Sequence, residues 1–157
     1  MWNEYAIARA LHVLAVVMWI GGVGFVTTVL IPALRRRFPP EAQYGMFETV
    51  EHRFGAQARF WVLLTLASAV WMLHVTDGWA RLRDTGWLHL MLVAWLPFFL
   101  MLFVLEPLLV HRWLKMRAGR DPAGTMQRVA WLHWALLGLS LAAVLAGVVG
   151  AHGGWRL

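Results

Sequence analysis

The chain has 157 residues, 61% of them hydrophobic and 14% charged, with a net charge of +6 and no cysteine. This composition fits one small membrane domain and leaves little for a soluble one. The missing cysteines exclude disulfides, thiolate metal sites and thioether-linked haem, so any cofactor is held by His, Met, carboxylate or packing. The basic residues lie in short loops, which argues against a nucleic acid partner.

Apolar stretches run through 10–34, 60–75, 87–110 and 129–151. A helix needs ~20 apolar residues to cross a bilayer core. The second stretch is short and draws on the residues before Phe60. We therefore expect an all-α integral membrane four-helix bundle, a single domain over 1–157, with spans near 9–34, 57–76, 87–111 and 127–151. Residues 1–9 lead into a span too long for a signal-peptide core, so no cleavable signal is expected. Trp2, Trp79, Trp87, Trp113 and Trp155 fall near span ends, as an interfacial aromatic belt would.

Span one carries His12 about one turn inside its end. Ala15, Val16, Trp19 and Val23 share its rough face. Gly21, Gly22 and Gly24 permit close approach by a ring or a helix. The first loop, 35–56, and its margin hold Arg35, Arg36, Arg37, Arg53 and Arg59. Pro39-Pro40 interrupts it. Residues 41–53 read as a helix with Tyr44, Phe47 and Val50 on one side, either interfacial or an extension of span two. Gly55 is placed to break or bend it. Glu48 and His52 are four residues apart and can pair.

Span two closes on His74, and the second loop carries only Arg81 and Arg83, offset by Asp77 and Asp84. Span three opens with His89 and ends at His111. Pro97 should kink it. Glu106, beside Pro107 in apolar surroundings, either terminates the span or serves as a proton-carrying or cation-pairing group. The third loop carries Arg112, Lys115, Arg117, Arg120 and Arg128, with turn signals at Gly119 and Asp121-Pro122. His133 lies about a turn inside span four and His152 just beyond it. The loop charges make loops one and three cytoplasmic and turn both termini outward, to the periplasm of a bacterium with the chain in its inner membrane.

Four histidines then gather outside (His12, His74, His89, His152) and three inside (His52, His111, His133). His89 and His111 share a helical face but lie about 33 Å apart, too far for one site. An ionisable residue in a span is costly and reads as functional by default. The sharp reading is b-type haem, one or two, held between helices by neutral imidazoles. His12 and His89 form the first pair, with His74 in reserve and Trp19 on the same face as His12. Arg9, Arg81 and Arg83 are cations for the propionates. His133 with His52 or His111 is the pairing for an inner haem. The bland reading makes these residues polar groups at the headgroup level, and it is favoured for His52, His111 and His152.

A second constellation suits copper. Met72 with His74, and His89 with Met91, place thioether and imidazole pairs at the ends of adjacent spans, and His12 can complete the set. Its bland reading is methionine as apolar filler. Glu48, Glu51, Glu106, His52, His111 and His133 form a weaker inner metal set.

Ala10-Leu11-His12, Ala15-Val16 and Trp19-Ile20-Gly21-Gly22 resemble the opening of the copper-resistance D family (CopD) and of the related membrane protoporphyrinogen oxidases of the HemJ type. Glu51-His52-Arg53-Phe54 with Arg59 is similar to their basic stretch before span two, and Trp87-Leu88-His89 to the start of their span three. The resemblance covers most of the chain as a four-span pattern, on short motifs. It implies either haem b binding with porphyrinogen oxidation, His12 being the matching ligand, or copper handling in the membrane. The chain departs from the oxidase pattern at 150–157, which lacks the Asn-Glu-x-Pro stretch. It also lacks the extra spans of full-length copper-resistance proteins.

The expected function is therefore haem b binding with a redox or electron-transfer role, with an oxidoreductase activity left open. The expected partner is a membrane quinone or a redox protein, with homo-oligomerisation left open. Copper binding or transport is the rival reading, and a structural subunit is a third.

Overall fold

The computed structural model describes residues 3–153, with the side chains of 107–112 outside that description. Helix α1 covers Glu4–Phe25. The Asn3 side-chain oxygen accepts from the Tyr5 N–H at 3.0 Å, which satisfies one of the free donors of the first turn. A π-helical segment, Val26–Leu30, leads into α2, Ile31–Arg37, so the first span is one continuous rod of 34 residues. Pro32 has no N–H to offer the preceding turn, and the wider π turn falls just before it.

Helix α3 runs unbroken over Pro40–Val75, 36 residues. At 1.5 Å per residue it is about 54 Å long, well beyond a hydrocarbon core of about 30 Å. The helix read in the first loop is thus the extension of span two. Gly55 does not break it, because a buried glycine inside a packed helix has the tertiary contacts to hold it straight. Tyr44 and Phe47 face the core as expected, whereas Val50 is exposed.

Asp77 closes α3 in the left-handed conformation, with φ of 48°. A 3₁₀ turn, Gly78–Ala80, and the short α4, Arg81–Asp84, follow. Helix α5 is Gly86–Leu100, a second π segment is Met101–Val110, and α6 is His111–Arg120. Pro97 lies inside α5, but the change of helical register comes at Met101, where the π segment that contains Pro107 begins. The chain then turns at Asp121, not at Gly119. Helix α7, Pro122–Ala151, begins with Asp121 Oδ1 accepting from the Gly124 N–H at 2.9 Å and with proline at its first position. Span four therefore starts five residues before the predicted 127.

These elements supply four helices long and apolar enough to cross a membrane: Glu4–Arg37, Pro40–Val75, Gly86–Glu106 and Pro122–Ala151. Their outward surface is apolar. Val13 and Val17 on α1, Val93 on α5, and Leu141, Leu145 and Val148 on α7 are all exposed. Continuous apolar surface of this extent belongs in lipid. The chain is a multi-pass membrane protein.

Antiparallel neighbours pack in pairs, α1 on α3 and α5 on α7, with α3 also crossing α7. The start of α1, the end of α7 and the second loop share one end, called here the terminal end. The first and third loops share the other, the loop end. The core is layered. Near the loop end, Val26, Ile31, Leu34, Tyr44, Phe47, Met126 and Val129 cluster. Midway, Trp19, Val23, Ala58, Val62, Phe98 and Leu137 form a second cluster, with the Trp19 ring edge-on to Phe98 at 4.7 Å. Toward the terminal end the buried residues become small: Ala8, Ala15, Ser68, Ala143 and Ala146. Small residues let helix backbones approach closely in a bilayer. There Met91 lies over Gly147 and Trp87 over Gly150, each in the space a side chain would fill.

Candidate functional site

Two polar places interrupt this apolar interior. The first is on the α1–α3 seam. His12 is half-buried, and its Nδ1 lies 3.0 Å from the Thr65 carbonyl and 3.1 Å from the Ser68 hydroxyl. A carbonyl only accepts, so Nδ1 carries the proton and donates. Ser68 itself gives its proton to the Leu64 carbonyl at 2.6 Å, so its oxygen is free to accept. The Thr65 carbonyl and Ser68 fix the ring and its tautomer. The Nε2 lone pair is left available. A histidine that ligates a metal is prepared in this way, by a hydrogen bond from its other nitrogen.

The remaining terminal-end groups do not close on it. His89 is exposed and its Nε2 donates to the Leu82 carbonyl at 2.6 Å, across the second loop. His74 is exposed at the end of α3, and His152 turns its Nδ1 to the Val148 carbonyl of its own helix. Arg9, Arg81 and Arg83 are exposed. Met91 is committed to the Gly147 surface of α7, and Met72 is half-buried on α3. The described contacts thus place no second imidazole against His12. Among the described residues, no group of three His, Asp or Glu side chains is arranged to hold a metal ion.

The second place is a cavity of about 120 Å³ between the helices, toward the loop end. Trp19 and Val23 of α1, Tyr44, Glu48, Glu51 and Gly55 of α3, Glu106, and His133 of α7 border it. Arg59 stands beside it. Its Nη2 meets Glu106 Oε1 at 3.0 Å, and its Nε donates to the Leu102 carbonyl at 3.1 Å. That carbonyl has a reason to need a partner. In the π register, residue 107 would bond back to residue 102, and Pro107 has no N–H. Arg59 replaces the missing donor.

Glu51 and Glu106 converge over Gly55, at distances that are ordinary contacts for a Cβ. A Cβ there would sit 3.6 Å from Glu106 Oε1 and 3.9 Å from Glu51 Oε1. His133 donates from Nδ1 to the Val129 carbonyl of its own helix at 2.9 Å, and its ring lies edge-on to Phe47 at 5.6 Å. His52 is exposed and does not join this group, and the His111 side chain lies outside the described residues. Trp19, placed with His12 by helical face, borders this cavity instead. In sequence, Arg59 reads as a loop charge and a family match, and Glu51 as a family match and a member of the weaker inner metal set, with no pairing of the two. Their spacing with Gly55, four residues each way, was the signal that puts all three on one face.

A haem macrocycle does not fit the cavity, since drug-sized ligand sites occupy roughly 300–1,000 Å³. The residues fit a haem only as a single axial bond from His12 at the bundle's edge, not as the paired imidazoles of His12 and His89. No protein family, curated protein or solved structure matches the chain.

Proposed function

We propose that the chain is a membrane haem b protein with a redox or electron-transfer role, in which His12 is the axial ligand. The observation that supports this is the half-buried His12 ring, with Nδ1 tied to the Thr65 carbonyl and Nε2 free. A bound b-type haem supplies reversible one-electron chemistry. His12 binds the iron through Nε2, and Thr65 and Ser68 hold the ring against rotation. The exposed cations Arg9, Arg81 and Arg83 lie at the same end of the bundle for the propionates. His89 and His74 stand exposed at that end and would be the reserve ligands from this chain, and a second copy of the chain is another source. In this reading the basic first and third loops are cytoplasmic, so this end faces the periplasm across a bacterial inner membrane. An apolar haem edge there meets a membrane quinone or a redox protein. The resemblance to the HemJ type adds porphyrinogen oxidation as the activity to assay.

The test is an absorption spectrum of the detergent-purified chain expressed with ample haem, oxidised and dithionite-reduced, with pyridine haemochrome stoichiometry. The expected result is a Soret band that His12→Ala abolishes and His52→Ala leaves intact. A colourless protein sinks the haem reading. Copper bound to that colourless protein, and lost on Met72→Leu with His74→Ala, would install the CopD-type reading in its place.

A further inference from the structure

The loop-end cavity is not needed by any of this, yet it is built. Its size decides its occupant. An apolar cavity of roughly 150 Å³ takes one benzene ring. At about 120 Å³ this one is smaller, and it is bordered by polar groups. A water occupies about 30 Å³ of liquid volume and needs two to four polar partners, so a chain of a few waters fits and a quinone ring does not.

The partners are present. Trp19 is 4% exposed, borders the cavity, and its Nε1 donor has no hydrogen-bond partner. Glu106 Oε2 is buried and equally without a partner, while its other oxygen holds Arg59. The His133 Nε2 is not used by the bond to the Val129 carbonyl. Buried polar groups in native proteins are almost always satisfied, and ordered water is the usual agent when no protein group serves.

Charge then gives the water a task. Arg59 is matched to Glu106 at 3.0 Å. Glu51 approaches the same point above Gly55 from its own helix. Among the described residues, Glu51 and Glu106 ionised together against one guanidinium, with Glu48 on the same cavity, leave negative charge in excess in a low-dielectric place, and a proton taken up there reduces it. Among the described residues, the groups facing Glu51 are Tyr44, Glu48 and Arg59 from α3, Glu106 from the second π segment and His133 from α7. From α1 come Trp19 and Val23, and from α6 Leu114, none of which titrates.

We propose that this chamber is a hydrated proton-binding site, in which Glu51 takes a proton from water and returns it, with Glu106 held as the counter-charge by Arg59. The step moves one proton from a hydronium ion in the cavity water, supplied by the aqueous phase, to the Glu51 carboxylate and leaves neutral water; the reverse step re-forms hydronium, and no bond other than O–H forms or breaks.

The experiment is infrared spectroscopy of the full chain in liposomes, titrated in H₂O and in D₂O, with ¹³C-glutamate labelling to identify carboxyl bands. The expected result is a protonated-carboxyl band that titrates reversibly and shifts in D₂O within the time of a buffer change. Glu51→Gln should abolish it. Glu106→Gln and Trp19→Phe should keep a band but move its frequency. Circular dichroism checks that each variant retains its helices. No exchangeable carboxyl band in the unaltered chain, or a band that survives Glu51→Gln in a helical protein, overturns the proposal. Neither result touches the haem reading, which is decided by the Soret band and His12.

Discussion

Replacing Arg59 should destabilise the bundle more than its position beside a loop suggests, because two separate groups lose their partner. Breaking a fully buried ion pair by removing one member costs ~3–5 kcal/mol. Here the Glu106 side chain is 16% exposed but Arg59 is 33% exposed, so water screens part of the attraction. The ion-pair loss is then about 1–2 kcal/mol. The Leu102 carbonyl, left without a donor at the π segment, adds ~1–2 kcal/mol. Arg59→Met should therefore cost ~2–4 kcal/mol in total. Arg59→Lys keeps the charge and loses the fork that reaches both acceptors, so it should fall between. Glu106→Gln removes only the pair, and the double variant Arg59→Met/Glu106→Gln should lose clearly less than both single losses added. The assay is reversible unfolding in mixed micelles by titration with sodium dodecyl sulfate, followed by far-ultraviolet circular dichroism. An Arg59→Met stability within about 0.5 kcal/mol of the parent, or strict additivity in the double variant, refutes the reasoning.

Neighbouring glycines give a sharper contrast. An added Cβ at Gly22 meets the Phe54 ring, so Gly22→Ala should cost ~1–3 kcal/mol, while Gly21, with nothing within 4 Å, should gain up to ~1 kcal/mol as alanine in the same unfolding assay. Asp121→Ala removes the cap of α7 and should cost ~1 kcal/mol, with the loss greatest in hydrogen exchange of the first turn. Ser68→Ala loosens the His12 ring without removing it, and haem affinity measured by titration should fall by roughly 10–100-fold.

The spans were legible because length and apolarity are read directly from residues, and a bilayer tolerates few alternatives to a helix. Their ends were less so. The extension of α3 through 40–56 was one of two open readings. What decided it was the burial of Tyr44 and Phe47 against Met126 and Val129, a tertiary fact invisible in either segment alone. The histidines show the limit more plainly. Depth along the membrane follows from counting residues, and His12 and His89 do lie at the same end. Rotation about each helix axis does not, since packing sets it. His89 turns to the second loop and His12 to α3, so equal depth gave no convergence. Glu106 stood out as a carboxyl in an apolar run. Its partner Arg59 did not, because an arginine near a loop is ordinary until the fold brings Leu102 to it.

The π segments before Pro32 and around Pro107 have a consequence for how the spans tolerate insertion and loss. Each bulged turn carries one residue more than an α-turn, which rotates everything after it by about 100° relative to an unbroken helix. Val26–Leu30 therefore works as a phase adjuster, setting the azimuth at which Ile31 and Leu34 meet the core. A one-residue deletion within it would convert the bulge to plain α-helix and leave the span's outer half in place. Past that point, the pattern of lipid-facing and core-facing residues would swing to a new direction. A deletion in the regular part of α1 has no such bulge to absorb it. The two proline-linked bulges are thus the places where a single-residue deletion would leave a regular α-helix while re-aiming the face of everything beyond it.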